Sequence, residues 1–271
     1  MIIFSLNQGK LLATNDGGSN WETLNSNASE DLVDVFFLSP LSGWLLPKNG
    51  PLITINEQFV STPAKGPRPI LPKVSSPGFP NSHSIAFTSS RRGWIVGNNG
   101  EIHYTQDGGR TWKKQDSKTQ SNLLRAQFES VQQGWIVGEE GIILYTDTGG
   151  NTWQSQSSGT SVRLSHIKIP DNQSAFVLGD KGTILRTNNR GKTWLRAQTD
   201  TEEQIVDAAF VNEQQGWAVG TQGAILYTGD GGKSWTRQES GTRSNLFVVN
   251  VQKDKVIIIG EDGIILRHIL N

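Results

Sequence analysis

Tryptophan stands at positions 112, 153, 194 and 235, a spacing of 41 residues each time, and each one closes the same phrase. The chain reads Thr105-Gln-Asp-Gly-Gly-Arg-Thr-Trp112, Thr146-Asp-Thr-Gly-Gly-Asn-Thr-Trp153, Thr187-Asn-Asn-Arg-Gly-Lys-Thr-Trp194 and Thr228-Gly-Asp-Gly-Gly-Lys-Ser-Trp235. An outlying copy, Thr14-Asn-Asp-Gly-Gly-Ser-Asn-Trp21, lies near the start. A period near 40 residues made of short strands marks a β-propeller blade. Function then has to be sought on the surface of the scaffold, because the repeat itself builds the fold.

Two further phrases complete the repeat. Gly43-Trp44, Gly93-Trp94-Ile-Val-Gly, Gly134-Trp135-Ile-Val-Gly, Ala175-Phe176-Val-Leu-Gly and Gly216-Trp217-Ala-Val-Gly form one series, continued by Val256-Ile-Ile-Ile-Gly260. The other is Gly-x-Ile-Leu-x-Thr, with copies starting at Gly9, Gly50, Gly100, Gly141, Gly182, Gly223 and Gly263. Short β-branched and aromatic runs bounded by Gly are strands and tight turns. Seven copies of the third phrase imply an all-β, seven-bladed propeller forming one domain over residues 1–271. The blade units fall near 1–25, 32–80, 84–116, 123–157, 164–198, 205–239 and 246–271. Within a unit the first strand covers segments such as 123–129, 164–169, 205–211 and 246–251, and the outer strand begins at the Trp of the first phrase.

The turn phrase has a physical logic. Asp at its third position accepts hydrogen bonds from the turn backbone, Gly at the fifth allows a shape that a Cβ would strain, and the indole fills space between sheets. Two copies carry Thr148 and Asn189 in place of the acid. Both side chains still bond locally, whereas a catalytic or metal-binding carboxylate would not survive the exchange. Asp16, Asp107 and Asp230, with Trp21, Trp112, Trp153, Trp194 and Trp235, are therefore expected to be structural.

Formal charge is zero and the pI is near neutral, so wholesale nucleic-acid binding is not expected. The distribution is uneven. Residues 61–125 hold ten Lys or Arg against three acids, a surplus of seven that the rest of the chain balances. With no cysteine there is no disulfide or thiolate metal site. No apolar run approaches the roughly 20 residues needed to cross a bilayer, and Met-Ile-Ile-Phe-Ser-Leu reads as a strand and not as a secretory signal.

The repeat breaks between Trp44 and Trp94, where six of ten prolines fall in 63–80. Pro cannot donate to a sheet, so the outer strand there is expected to be short or replaced by a loop. Lys65, Arg68 and Lys73 make that loop a candidate basic docking segment, the alternative being a decayed blade edge. At the ends, the first unit lacks an innermost strand and the last lacks an outer one. The expectation is an N-terminus that has lost a strand and with it any export signal.

The phrase Ser/Thr-x-Asp-x-Gly-x-Thr-Trp resembles the Asp-box (BNR repeat) of sialidase-type propellers. Combined with Gly-Trp-Ile-Val-Gly and Gly-x-Ile-Leu-x-Thr, and with the closing Gly260-Glu-Asp-Gly-Ile-Ile-Leu-Arg267, it resembles the Ycf48/Hcf136 family of photosystem II assembly factors and their non-photosynthetic bacterial relatives. That resemblance implies a non-enzymatic factor, monomeric and without cofactor, that binds a protein client such as a membrane-protein assembly intermediate. It also implies a periplasmic or thylakoid-lumenal location. The family's arginine patch is matched here by Arg163 in Ser161-Val-Arg163-Leu and by Arg186 in Thr183-Ile-Leu-Arg186-Thr. The following blade, with Ile205-Val-Asp-Ala-Ala-Phe and Gly223-Ala-Ile-Leu-Tyr, carries no Arg. Arg91, Arg92 and Arg125 complete the candidate partner-binding set, a solvated rim being the plainer reading.

Sialidase kinship makes a glycan-binding or glycoside-hydrolysing module the alternative. Sialidase chemistry, in that family, needs a Tyr nucleophile. Tyr104, Tyr145 and Tyr227 all occupy one repeated strand position, as packing residues would. Asp207 lies in a first strand without an assignable partner carboxylate. His83, His103, His166 and His268 lack ligand spacing. No catalytic or metal site is expected.

Overall fold

The computed structural model describes residues 2–5, 9–14, 20–26, 28, 30–39, 42–55, 73–252 and 255–270. Among them the regular structure is strand, with only three-residue 3₁₀ turns. The strands form seven sheets that follow one another along the chain, and two compact units share them.

The first unit comprises Met1–Gly134 and Thr146–Trp153. It holds a three-stranded antiparallel sheet (Ile2–Ser5, Lys10–Thr14, Glu22–Asn25) and a four-stranded one (Leu32–Ser39, Ser42–Pro47, Pro51–Ile55, Lys73–Gly78). A third sheet contains Ser82–Phe87, Gly93–Gly97, Ile102–Thr105 and Lys113–Gln115. The second sheet therefore has a six-residue outer strand despite the proline-rich stretch before it. Pro77 fits there because an outer strand leaves one row of N–H groups unpaired.

The second unit comprises Trp135–Tyr145 and Gln154–Asn271. Its fifth sheet has strands Leu164–Lys168, Ala175–Gly179, Ile184–Thr187 and Leu195–Arg196. The sixth has Ile205–Phe210, Gly216–Gly220, Ile225–Thr228 and Ser234–Gln238, with Gln198–Thr199 added in parallel to its outer strand. The seventh has three strands, Leu246–Gln252, Lys255–Gly260 and Ile265–Ile269. The strands of the fourth sheet are divided between the units. Three-stranded first and seventh sheets agree with the incomplete units expected at both ends.

One aromatic arrangement recurs where sheets meet within each unit. Trp44 stacks on Phe87 with centroids 3.6 Å apart, and Trp112 meets the same ring edge-on at 6.3 Å. Trp94, Phe128 and Trp153 repeat this at 3.8 and 6.1 Å. In the second unit Phe176, Phe210 and Trp235 do so at 4.6 and 5.7 Å. Stacked and edge-on aromatic pairs contribute about 0.5–1.5 kcal/mol each beyond area burial.

The glycine of each Gly-Trp phrase follows from the same ring. A Cβ on Gly93 would lie 2.5 Å from the Phe87 phenyl, and one on Gly216 would lie 2.6 Å from Phe210. Where the ring is replaced by Ile169, the glycine is replaced by Ala175, and both pack in one cluster with Trp135 and Trp194. The glycine of the Gly-x-Ile phrase has another cause. At Gly141, φ is +70° and a Cβ would overlap the Thr160 carbonyl.

Candidate functional site

Three sets of polar residues stand out; the first two recur in both units, and each has its own geometry. The first is the turn phrase. The Asp107 carboxylate accepts from the Thr111 N–H at 2.9 Å, the Thr111 hydroxyl at 2.6 Å and the Thr105 hydroxyl at 2.8 Å. The Thr105 hydroxyl oxygen accepts from Gly109 N–H at 2.9 Å, and the Trp112 indole donates to the Gly109 carbonyl at 3.0 Å. Asp230 makes the same set with Thr228, Ser234 and the Lys233 N–H. Thr148 accepts from Thr152 N–H at 3.0 Å, and Asn189 accepts from Thr193 N–H at 3.0 Å. Each substitute keeps the bond that crosses the turn.

These donors lower both acids. Bonds from the Thr111 hydroxyl and N–H bring Asp107 from 3.8 to about 2. At Asp230, desolvation would raise the value, but bonds from Ser234, Thr228 and Lys233 outweigh it and bring it to about 2. Trp153 and Trp235 are buried, while Trp21, Trp112 and Trp194 are partly buried. The Trp153 indole donates to Gln115 Oε1 at 3.2 Å, and that of Trp194 to Gln156 Oε1 at 3.1 Å. Asp16 lies outside the described residues.

The second set lies on the first strands. Asp34 Oδ2 accepts from the Ile85 N–H at 2.9 Å, and its Oδ1 meets Arg125 Nη1 at 2.9 Å. Ser84 Oγ accepts from the Ala126 N–H at 3.3 Å. In the second unit Asp207 Oδ2 accepts from the Val249 N–H at 3.0 Å, and its Oδ1 meets Lys168 Nζ at 2.7 Å. Asp34 and Asp207 are both buried. A first strand is the edge of its sheet, and these side chains satisfy edge N–H groups of the next sheet. The register of the first strand shifts beside each of these residues, as at Leu32/Asp34, Ser82/Ser84 and Ile205/Asp207. Asp207 therefore has its partners in a cation and a backbone, not in a second carboxylate.

The third set comprises the exposed cations. Arg91 and Arg92 are exposed on the loop between the first two strands of the third sheet, against the Asp107 turn. Gly108 N–H donates to the Arg91 carbonyl at 2.9 Å, and Arg91 Nε donates to the Gln106 carbonyl at 3.3 Å. Arg110 is exposed on the same turn, its Nη1 donating to the Asp107 carbonyl at 3.3 Å. One repeat further on, the positions of Arg91 and Arg92 hold Gln132 and Gln133, then Gln173 and Ser174, then Gln214 and Gln215. Among these four loops the third sheet's carries two arginines, where each of the others carries no cation and one acid, Glu129, Asp171 or Glu213.

Arg163 and Arg186 are not brought together. Arg163 precedes Leu164, which pairs with Gly179, while Arg186 pairs with Phe176. They stand at opposite ends of the sheet and two strands apart, roughly 16 Å between Cα atoms at ordinary strand spacing. Arg163 is exposed and has Glu139 and Asp180 each 4.0 Å away. Arg186 is half-buried. Lys73 begins the outer strand of the second sheet, and Lys65 and Arg68 lie outside the described residues.

The tyrosines sit beside the second-strand tryptophans. Tyr104, Tyr145 and Tyr227 have centroids 5.0, 4.9 and 5.0 Å from Trp94, Trp135 and Trp217. Among the described residues no three His, Asp or Glu are grouped to hold a metal ion. No described helix is long and apolar enough to cross a membrane.

The family model described as Photosynthesis system II assembly factor YCF48 matches residues 74–199 and 187–269. The chain belongs to that family. The fold agrees along nearly its whole length. A structure described as YCF48 bound to D1 peptide is 19% identical with a TM-score of 0.69, covering 98% of this chain and 88% of the other. YCF48 from Cyanidioschyzon merolae is 20% identical with a TM-score of 0.71, covering 98% and 90%. The fold is shared beyond the YCF48 family. The C-terminal WD40 domain of Sif2 is 13% identical with a TM-score of 0.71, covering 99% and 78%. An ancestral GH74 enzyme is 12% identical with a TM-score of 0.64, covering 85% of this chain and 35% of that one. The all-β propeller expected from the 41-residue repeat is the fold found. A search of the curated proteins returns no match.

Two repeated sets were missed in the sequence of this YCF48-family chain, although both keep the 41-residue period. Phe87, Phe128, Ile169, Phe210 and Val251 mark the sheet-to-sheet ring. Ser84, Arg125, His166, Asp207 and Val248 mark one position of the first strands. Reading the period down each column, and not along the Trp phrases alone, would have found both.

Proposed function

We propose that this protein is a non-enzymatic factor that binds a protein client during assembly of photosystem II or a related membrane complex. The observation that carries the reading is the YCF48 family match over residues 74–199 and 187–269. A YCF48 structure of the same fold is described as bound to D1 peptide, which makes a peptide of that kind the natural first ligand. The residues available for chemistry support binding over catalysis. The three tyrosines pack on tryptophans, and the buried carboxylates of Asp34 and Asp207 are engaged by backbone N–H groups and cations.

Arg91 and Arg92, with Arg110 beside them, form the client-facing cationic surface. Their guanidinium groups suit backbone carbonyls and carboxylates, a peptide C-terminus included. Arg163 contributes less net charge because two carboxylates flank it. Arg125 acts through Asp34. Calorimetric titration with a D1 peptide tests the reading. Saturable binding is expected, weakened at least about tenfold by Arg91→Glu/Arg92→Glu. No heat of binding, or equal affinity in the variant, would count against the client or against this surface respectively.

A further inference from the structure

The fourth position of the turn phrase is glycine in three of the four regularly spaced copies and arginine in one. All four take a left-handed backbone, with φ of +77° at Gly108, +66° at Gly149, +59° at Arg190 and +72° at Gly231. The fold imposes that shape. Each N–H donates to a loop carbonyl of its own sheet, at 2.9 Å to Arg91, 2.8 Å to Gln132, 2.9 Å to Gln173 and 2.9 Å to Gln214. A Cβ on Gly108, Gly149 or Gly231 would lie 2.8–2.9 Å from the carbonyl oxygen of Ser90, Val131 or Glu213. Asn172 is the equivalent residue beside Arg190. Arg190 therefore carries a Cβ where the backbone disfavours one and space is short.

The same turn departs from the repeat in charge. Residues 187–194 hold Arg190 and Lys192 and no acid, because Asn189 stands where Asp107 and Asp230 stand in their turns. Its formal charge is +2, against 0 for 105–112 (Asp107, Arg110), −1 for 146–153 (Asp147) and 0 for 228–235 (Asp230, Lys233). Arg190 Nε donates to the Asn172 carbonyl at 3.1 Å, which anchors the guanidinium at the base of its fork. Arg190 and Lys192 are both exposed. Among the described residues, neither the terminal nitrogens of Arg190 nor Lys192 Nζ has a protein partner. The adjacent acid, Asp171, is engaged by its own loop, where Oδ1 accepts from the Gln173 and Ser174 N–H groups at 2.7 Å each.

We propose that the fifth-sheet turn binds an acidic polypeptide segment, with Arg190 holding one carboxylate through its two terminal nitrogens and Lys192 meeting a second. A strained residue that the fold does not need persists where its side chain is used. The planar fork of arginine suits a carboxylate. The neutral Asn189 keeps the turn bond to Thr193 N–H and withholds the negative charge that would repel the ligand. Two exposed cations on a turn hold a lone small anion weakly, so the ligand is a chain that offers several carboxylates at once. This turn lies on a different sheet from Arg91 and Arg92, and it rests on the protein-client reading only in taking the carboxylates to be carried by a polypeptide.

The test uses a fluorescein-labelled tetraglutamate peptide, titrated at low ionic strength into the parent, Arg190→Gly and Arg91→Glu/Arg92→Glu proteins and followed by anisotropy. Saturable binding to the parent is expected, weakened at least about fivefold by Arg190→Gly and weakened by added salt, but kept in Arg91→Glu/Arg92→Glu. Arg190→Gly installs the residue of the other three turns, so it should melt no lower than the parent, and its loss of binding is then not a loss of folding. A lower melting temperature would make Arg190 a structural residue and overturn the proposal. No binding, or equal affinity in Arg190→Gly, would do the same. Loss of binding in Arg91→Glu/Arg92→Glu alone would assign the peptide to the third-sheet loop and likewise overturn it. Cosedimentation with phosphatidylserine vesicles gives the last arm. Vesicle binding that needs Arg190, without peptide binding, would assign the turn to a membrane surface and overturn the polypeptide ligand. Because the probe is not the D1 peptide, failure of that titration and failure of this one are read separately.

Discussion

Substituting Gly93 by Ala places a methyl group 2.5–2.6 Å from three atoms of the Phe87 ring. The ring cannot retreat, because Trp44 stacks on its other side at 3.6 Å and Trp112 abuts its edge. Overpacking of a pinned core costs about 1–3 kcal/mol, and the absence of relief here puts Gly93→Ala at about 2–3 kcal/mol. At about 2–4 °C per kcal/mol for a chain of this size, the variant should melt about 4–12 °C below the parent. The natural pair Ile169 and Ala175 indicates the remedy. Phe87→Ile alone should cost about 1–2 kcal/mol through the lost aromatic contacts. In Phe87→Ile/Gly93→Ala the methyl has room, so the double variant should be more stable than the sum of the singles by at least about 1 kcal/mol. Guanidinium denaturation of the four proteins measures that coupling. Additivity within about 0.3 kcal/mol, or an unchanged midpoint for Gly93→Ala, would refute the account of the Gly-Trp phrase.

The turn acids give a second prediction: Asp107→Ala should destabilise by about 1–2 kcal/mol, whereas Asp107→Asn should be nearly neutral at pH 7 because Asn189 already serves the fifth sheet; thermal melts decide. With Asp107 and Asp230 held at about 2 when folded against 3.8 otherwise, their stabilisation is complete above about pH 4 and is lost as pH falls towards 2. Melts of Asp107→Asn/Asp230→Asn should therefore show a shallower loss of stability across that window. Asp207→Ala removes a charged acceptor from the Val249 N–H and from Lys168, and should cost about 2–3 kcal/mol by denaturation. Lys168→Ala in the Asp207→Ala background should add little, since the partner is already gone.

The sheets were legible because Trp112, Trp153, Trp194 and Trp235 fix the period, and Gly and β-branched runs fix the strands within it. The turn roles were legible because Thr148 and Asn189 replace Asp without breaking the phrase. Contacts between sheets were not, since nothing local ties Phe87 to Gly93 and Trp44 until the strands are stacked. Asp207 looked isolated for the same reason: its partners, Lys168 and the Val249 N–H, come from neighbouring first strands. Arg163 and Arg186 looked like one patch because sequence distance says nothing about register, and register sets them at opposite ends of the fifth sheet. Arg91 and Arg92 stand apart once the same loop is compared across repeats, where glutamine or serine takes their place.

The most direct test of the central claim is affinity capture from detergent-solubilised membranes of the source organism, with the Arg91→Glu/Arg92→Glu variant as control after its melting temperature is matched to the parent. The account predicts a membrane-protein client enriched on the parent and lost from the variant. Capture of no membrane protein by either, together with turnover of a glycoside substrate by the parent, would contradict it.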